Sequence, residues 1–445
     1  MKKSIHVLAL LFCSLLLILS ACSSSDSSSG PNASASSATK QKEVDVSSPK
    51  ENNEPVEIEF WYALGGANGE VIQEMVEEFN ASQNEVKVNA TYQGDYYENH
   101  AKVMAAVAAG NAPDVTQIEI GSIAAFADAG ALEDLTPYAE GENGLELNDF
   151  IEGLMGSSYW QGRFYALPFA RSTPLLYLNV DMLKEHGLDP AGPKTWDELR
   201  QFAQTMSKEG EVWGFETPID IWFYEALVFQ NGGEILSEDG TEVRFNSPEG
   251  IEPLKFWKAM MEEGSMKMPP GEKYNAWDVA ASDFTNGKVG MIFTTTGALN
   301  SLMEAAPFEV GTAFMPMKKS YGAPTGGSNL VIMAQSSPEK KEAAWKFLKW
   351  MTDTEQTIKW SKRTGYMPVR VSAVESDEMA QLYEEKPQFK VAVDQLEYAK
   401  TRPMAPGYSE LQEVIMAEIQ RAILDQATPE EALNAAAQKA EQILK

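Results

Sequence analysis

Residues 56–92 read VEIEFWYALGGANGEVIQEMVEEFNASQNEVKVNATY, and the change of period inside this stretch decides the fold class. VEIEFWYAL alternates apolar and acidic residues, the period of a strand with one face buried. EVIQEMVEEFNASQ then places Val71, Ile72, Met75, Val76 and Phe79 on one face of a helix, and VKVNATY returns to strand spacing. A second helix, YENHAKVMAAVAAG, ends at Gly110 and leads into the strand DVTQIEI. Short strands separated by helices of about 10–15 residues are the signature of βαβ units. An α/β fold with parallel-rich sheets is therefore expected.

Further along, the helix starts are marked by side chains that take up free N–H groups. Thr195 and Glu198 form an expected capping box over TWDELRQFAQTM, and Thr428, Pro429 and Glu431 open the last helix in the same way. Ser337-Pro338 opens PEKKEAAWKFLKWM. No short-period repeat is present.

Upstream of the first strand the composition changes twice. Lys2 and Lys3 precede the apolar run Ile5 to Leu19, and small residues Ser20 and Ala21 precede Cys22. This reads as an export signal over residues 1–21, too short for an ordinary spanning helix. From Ser23 to about Pro55 the chain is rich in Ser, Asn, Lys and Glu and holds too little apolar material for a core. Residues 22–55 are expected to be a disordered tether. Cys13 falls in the signal, so Cys22 is the only cysteine expected after processing, which excludes disulfides and thiolate zinc sites.

The chain has 445 residues and a net charge of −29; without Lys2 and Lys3 it carries 34 basic against 65 acidic residues, a net of −31. That balance argues against nucleic acid, where Lys and Arg on phosphates supply most of the affinity. Apolar residues make up 44%, with 10 Trp, which is enough for two domains beyond the tether.

Sites for catalysis are scarce. His100 and His186 survive processing, and neither lies in an HExxH. No G-x-S-x-G, Walker A or G-x-G-x-x-G occurs, and the run Gly65 to Gly69 lacks the lysine and spacing of a phosphate loop. No enzyme, metal or cofactor is expected. Binding has more support. Aromatic and small polar residues recur at strand ends: Trp61-Tyr62, Tyr96-Tyr97, Trp222-Phe223-Tyr224, Thr294 to Gly297, Gly326 to Ser328 and Gly365-Tyr366. Rings that cover C–H faces, with hydroxyl and N–H donors around them, suit a polyol or sugar.

Seven blocks carry a resemblance. FWYALGGANGEVIQEMVEEFN (60–80), TYQGDYYEN (91–99), AAGNAPDVTQIEIG (108–121), PFARSTPLLYLNVDMLKEHGLDP (168–190), PKTWDEL (193–199), FTNGKVGMIFTTTGALNSL (284–302) and SKRTGYMPV (361–369) follow one another in order. They resemble the family 1 extracellular solute-binding proteins of ABC importers, most fully the members that bind glycerol phosphate. The segment Leu19-Ser20-Ala21-Cys22 likewise resembles a lipobox, which implies diacylglyceryl and palmitate modification of Cys22 and an extracytoplasmic membrane anchor.

The resemblance implies a class II periplasmic-binding-protein fold of two lobes. Residues 56–173 and 326–356 are expected in the first, and 174–325 and 357–445 in the second. It implies contacts to ligand from Tyr96, from Glu119 as acceptor of glycerol hydroxyls, and from Ser172, Thr295, Gly327 and Tyr366. Trp196 aligns with a tryptophan near the family's cleft, though its helix cap explains it equally well. The family places an arginine on the phosphate where KTRPMAPGYSEL (400–411) has Ala405; Arg402 or Arg171 is expected to replace it. The implied function is capture of a glycerol-3-phosphate-like molecule or glycerophosphodiester by hinge closure, and delivery by a monomer to permease subunits. The alternative ligand is a neutral di- or oligosaccharide. A secreted hydrolase and a surface adhesin are the rivals from other classes.

Overall fold

The computed structural model describes residues 54–269 and 275–445. The leader, the Leu19 to Cys22 box and the tether up to Asn53 lie outside the described residues. In chain order the sheet strands are β1 Val56–Tyr62, β2 Val86–Tyr92, β3 Val115–Glu119, β4 Ala166–Ser172, β5 Pro174–Asn179, β6 Trp213–Glu216, β7 Met266–Lys267, β8 Val289–Thr295, β9 Val310–Ala313 and β10 Gly326–Ile332. The helices that build and brace the cleft are α1 Gly66–Ser82, α2 Tyr96–Ala109, α3 Trp196–Met206, α4 Ile221–Gln230, α5 Pro338–Met351, α6 Thr354–Thr364, α7 Tyr408–Ile423 and α8 Pro429–Ile443.

Two five-stranded sheets define two α/β lobes. The first has the order β2-β1-β3-β10-β4 and the second β9-β5-β8-β6-β7. The chain crosses between them at Thr173, between β4 and β5, and again at Thr325, ahead of β10. This is the class II two-lobe arrangement. The sheets are mixed rather than parallel-rich. β1 runs parallel to β2 and β3, but β10 returns antiparallel to both β3 and β4. In the second sheet β5 is antiparallel to β8 and β9, while β6 is parallel to β8 and β7. A strand buried on both faces, such as NLVI in β10, has the same apolar pattern whichever way it runs.

Local rules account for the elements. In β1, Ile58, Phe60 and Tyr62 are buried and Glu57 and Glu59 face water. α1 buries Val71, Ile72, Met75, Val76 and Phe79 against that face. It begins at Gly66, so most of the Gly65–Gly69 run is helix rather than loop. Asp95 caps α2 by accepting the Glu98 N–H at 2.9 Å, and Gly110 ends it in the left-handed region. Thr428 and Glu431 form the reciprocal capping box of α8. The box at Thr195 is only half formed. Thr195 accepts the Glu198 N–H at 3.1 Å, but the Glu198 carboxylate accepts the Lys194 N–H at 2.6 Å, one residue earlier. Thr195 itself is drawn into a bridge with Met317.

One stretch sits differently from the expected lobe division. The expected division puts residues from 357 onward in the second lobe, yet α6 lies along α1 of the first. Arg363 pairs with Glu74 at 2.7 Å, and Lys359 pairs with Glu78. Beyond α6, the Met367 N–H bonds the Arg171 carbonyl and the Ile151 N–H bonds the Val369 carbonyl, which holds residues 365–370 against the first lobe. α6 buries Ile358 and Trp360 in the same core as α1, and the ion pairs flank that apolar contact; which core an apolar face joins cannot be read from one-dimensional spacing.

Candidate ligand-binding cleft

Both sheets aim strand ends at one gap, the place where open α/β sheets take ligands. Glu119 ends β3, Ser172 ends β4, Thr295 ends β8 and Gly327 is the second residue of the antiparallel β10. Tyr96 opens α2 directly after β2 and its turn, and Tyr366 follows α6. These six residues and Arg402 all line a single cleft of about 800 Å3.

Two tyrosines stand on built supports. The Tyr96 hydroxyl donates to Ser328 Oγ at 3.1 Å, and Gln117 Nε2 holds the same Oγ at 2.7 Å. Gln117 is itself fixed: its Oε1 accepts the Ala63 N–H at 2.9 Å. The Tyr366 ring stacks on Trp360 with centroids 5.4 Å apart, and Trp360 stacks on Phe169 at 4.8 Å. Burial pushes the Tyr366 phenol up to about 12 and the Tyr96 phenol well above its ordinary value, so both are neutral hydroxyls at physiological pH. Thr295 Oγ1 accepts the Gly297 N–H at 3.2 Å, which turns the chain at the mouth of β8. Ser172 is buried at its strand end. Gly327 has φ +88°, and a Cβ there would lie 1.9 Å from the Ala170 carbonyl oxygen.

Arg402 is in the cleft wall but is already occupied. Its Nε donates to Glu225 Oε2 at 2.8 Å, Nη1 to Glu119 Oε1 at 2.7 Å and Nη2 to Gln412 Oε1 at 3.1 Å. Glu225 is fully buried in the middle of α4 and also accepts the Tyr408 hydroxyl. Burial pushes the Glu225 carboxyl up to about 7, against the lowering effect of Arg402. Glu119 is likewise raised by burial, offset in part by Arg402 and the Gly121 N–H. Burial alone would lower the guanidinium; Glu225 and Glu119 outweigh it, and Arg402 is a firm cation. The Glu119–Arg402 pair also joins the first lobe to the second. Other bonds across the cleft are Asn68 Nδ2 to the Gly297 carbonyl at 3.1 Å and Ser122 Oγ to Ser409 Oγ at 2.9 Å.

Arg171, Ala405 and Trp196 fall outside the cleft lining. Arg171 is buried; its Nε donates to the Gly326 carbonyl at 3.0 Å and its Nη2 to Thr325 Oγ1 at 3.1 Å, so it ties the two crossovers together. Ala405 is buried in the second lobe's core. Trp196 is core as well: its indole N–H donates to Gln230 Oε1 at 2.8 Å and its ring stacks on Phe256 at 4.9 Å. The helix cap explains Trp196; the alignment with a cleft residue does not hold.

Other residues in the wall escaped sequence reasoning. Asp220 caps α4 by accepting the Trp222 N–H at 2.9 Å, and it accepts the Trp277 indole N–H at 3.1 Å. Trp222 and Trp277 stack with centroids 6.3 Å apart. Within Trp222-Phe223-Tyr224, only Trp222 faces the cleft; Phe223 and Tyr224 are core. Among the described residues, six carboxylates (Asp95, Glu119, Asp220, Asp278, Glu410 and Glu413) and one guanidinium line the cleft. Such a wall disfavours a dianion. Among the described residues, no group of three or more His, Cys, Asp or Glu side chains is placed to hold a metal ion.

A family model described as bacterial extracellular solute-binding protein matches residues 74–391. The sn-glycerol-3-phosphate-binding periplasmic protein UgpB of Escherichia coli K12 is 27% identical over 409 residues, covering 87% of this chain and 92% of that one. Among solved structures, UgpB from Mycobacterium tuberculosis in complex with glycerophosphocholine is 26% identical with a TM-score of 0.78, covering 87% of this chain and 98% of the other. Maltose-bound MalE3 of T. maritima is 27% identical with a TM-score of 0.77, covering 87% and 99%. Two lobes, chain crossings at Thr173 and Thr325 and a cleft at the strand ends agree with these likenesses, and the chain belongs to the bacterial extracellular solute-binding protein family that serves ABC importers.

Proposed function

We propose that the cleft captures a glycerophosphodiester without net negative charge, of the glycerophosphocholine type, and presents it to an ABC permease. The observation that carries this reading is the charge of the wall: among the described residues the one guanidinium lining it is held by Glu225 and Glu119, while the remaining carboxylates face a ligand that must not be a net anion. Glu119 and Tyr96 take the glycerol hydroxyls. Ser172, Thr295 and the Gly327 main chain meet the phosphodiester oxygens, and the Tyr366 face covers the carbon skeleton. A cationic head lies against Trp222 and Trp277 beside Asp220, where ring faces and a carboxylate both attract it. Contacts from both lobes pull an open–closed equilibrium toward the closed form. A volume of about 800 Å3 also exceeds what a three-carbon phosphate needs.

Titration calorimetry with glycerophosphocholine, sn-glycerol 3-phosphate and maltose tests this. Glycerophosphocholine is expected to bind at least about tenfold more tightly than glycerol 3-phosphate, a difference of roughly 1.4 kcal/mol. Heat from maltose alone would establish the second reading, a neutral saccharide. The Trp222–Trp277 pair also suits that ligand, because indole faces cover sugar C–H surfaces.

We also infer that Cys22 carries the lipid. No helix among the described residues is long and apolar enough to cross a membrane, and acyl chains hold a protein to a bilayer by burying methylenes. Cells grown with labelled palmitate should label the full chain, and Cys22→Ala should abolish the label and release the protein to the medium or periplasm. Label that survives the substitution would refute the assignment.

A further inference from the structure

Glu225 stands out within α4. IWFYEALVFQ is apolar apart from this carboxylate and the terminal Gln230, and a charged residue inside such a helix is retained only where it is paired. Its partner is Arg402, which lies 177 positions away in the chain and lines the cleft. The contact is two-pronged, with Nε–Oε2 at 2.8 Å and Nη2–Oε1 at 3.4 Å. The Tyr408 hydroxyl orients the carboxylate from α7, and Gln412 on the same helix holds Nη2 at 3.1 Å.

We propose that Glu225 is a specificity-determining residue of the cleft: by holding the Arg402 guanidinium from behind, it keeps that cation from serving as a phosphate anchor and so excludes anionic solutes. A guanidinium is the preferred partner of phosphate because its fork matches two oxygens at once. Here the edge formed by Nε and Nη2 is spent on Glu225, and Nη1 on Glu119. A phosphomonoester arriving at Arg402 would meet two carboxylates around one cation. Glu225 touches no solute itself; it acts through Arg402 and is a positioning residue. The inference deepens the ligand reading above, and rests on it for the choice of zwitterionic probe.

The test compares wild type, Glu225→Gln and Glu225→Asp by calorimetry against glycerophosphocholine, sn-glycerol 3-phosphate and inorganic sulfate, with melting curves for each variant. Gln keeps the shape and removes the charge; Asp does the reverse. The affinity ratio of glycerol 3-phosphate to glycerophosphocholine should move toward the anion by at least about fivefold in Glu225→Gln, and stay within about twofold of wild type in Glu225→Asp. A merely structural role predicts the opposite order, with Asp the more disturbed. If wild type binds glycerophosphocholine and the Gln variant leaves the ratio unchanged, the inference fails and the ligand reading stands. If wild type binds neither glycerol compound, the ligand reading fails; sulfate then decides, and no gain of about fivefold in the Gln variant overturns the inference. Should Glu225→Gln not fold, the nitrogen-resolved NMR signal of Arg402 Nε–H in wild type serves instead. It should stay put on saturation with sulfate, and a large displacement would show that Arg402 engages the anion despite Glu225.

Discussion

Arg402→Met is expected to lower the free energy of unfolding by about 3–5 kcal/mol, the usual cost of leaving a buried charge without its partner. Glu225 is fully buried and Glu119 largely so, with Arg402 between them. Removing the cation strands both carboxylates, and the loss should depend on pH. Glu225 already titrates near 7 beside the guanidinium, against roughly 4.3 for an unperturbed glutamate, and losing the cation raises it further. A carboxyl with a raised folded pKa stabilises fully below its unfolded value and loses that contribution as pH climbs through the folded one. The variant should therefore be most impaired near pH 8 and recover part of the loss near pH 5.5, as urea titrations at about these two values would show. Adding Glu225→Gln should restore about 1–3 kcal/mol, since the second change removes the group the first one stranded. A loss below about 1 kcal/mol at the higher pH would mean that water reaches the guanidinium and the buried network does not form.

The same network marks where reading the sequence succeeds and where it stops. The units β1–α1–β2–α2–β3 are legible because periods of 2 and 3.6 alternate and because Gly110 marks where α2 ends, as Thr428 marks where α8 begins. Strand direction is not legible, since a doubly buried strand such as β10 has no polar face to orient it. Tyr96, Thr295, Gly327 and Tyr366 stand among aromatic and small polar residues at strand ends, Glu119 and Ser172 are marked only by the family resemblance, and the fold brings all six to one cleft. Periodicity alone identifies none of them. Arg402 was visible as a candidate, but its state depends on Glu225 and Glu119, far away in the chain. A lone carboxylate in an apolar helix announces that a partner exists without naming it. Asp220 and Trp277 pose the same problem: each reads as an ordinary helix-start residue until the fold places them 3.1 Å apart.

Gly327→Ala is expected to combine a stability loss of about 3 kcal/mol or more with a loss of binding of at least about tenfold. Two costs add. At φ +88° the left-handed backbone alone disfavours alanine by roughly 1–2 kcal/mol. The new methyl would also stand 1.9 Å from the Ala170 carbonyl oxygen and 3.2 Å from the Arg171 Cα, atoms of the neighbouring strand that no rotamer change can move aside. Relief requires β10 to shift against β4 at the Gly327–Arg171 pair, next to the register shift at Ser328 and beside the Thr325 crossover. That movement displaces Ser328, which supports Tyr96, and Ser172, which faces the cleft. Gly130→Ala is the matched control. Its φ is +67° but nothing lies within 4 Å of the added methyl, so it should cost only the backbone part, about 1–2 kcal/mol, and leave calorimetric affinity unchanged. If the two variants melt alike and bind alike, the strand crossing is looser than its contacts imply and the cleft does not depend on it.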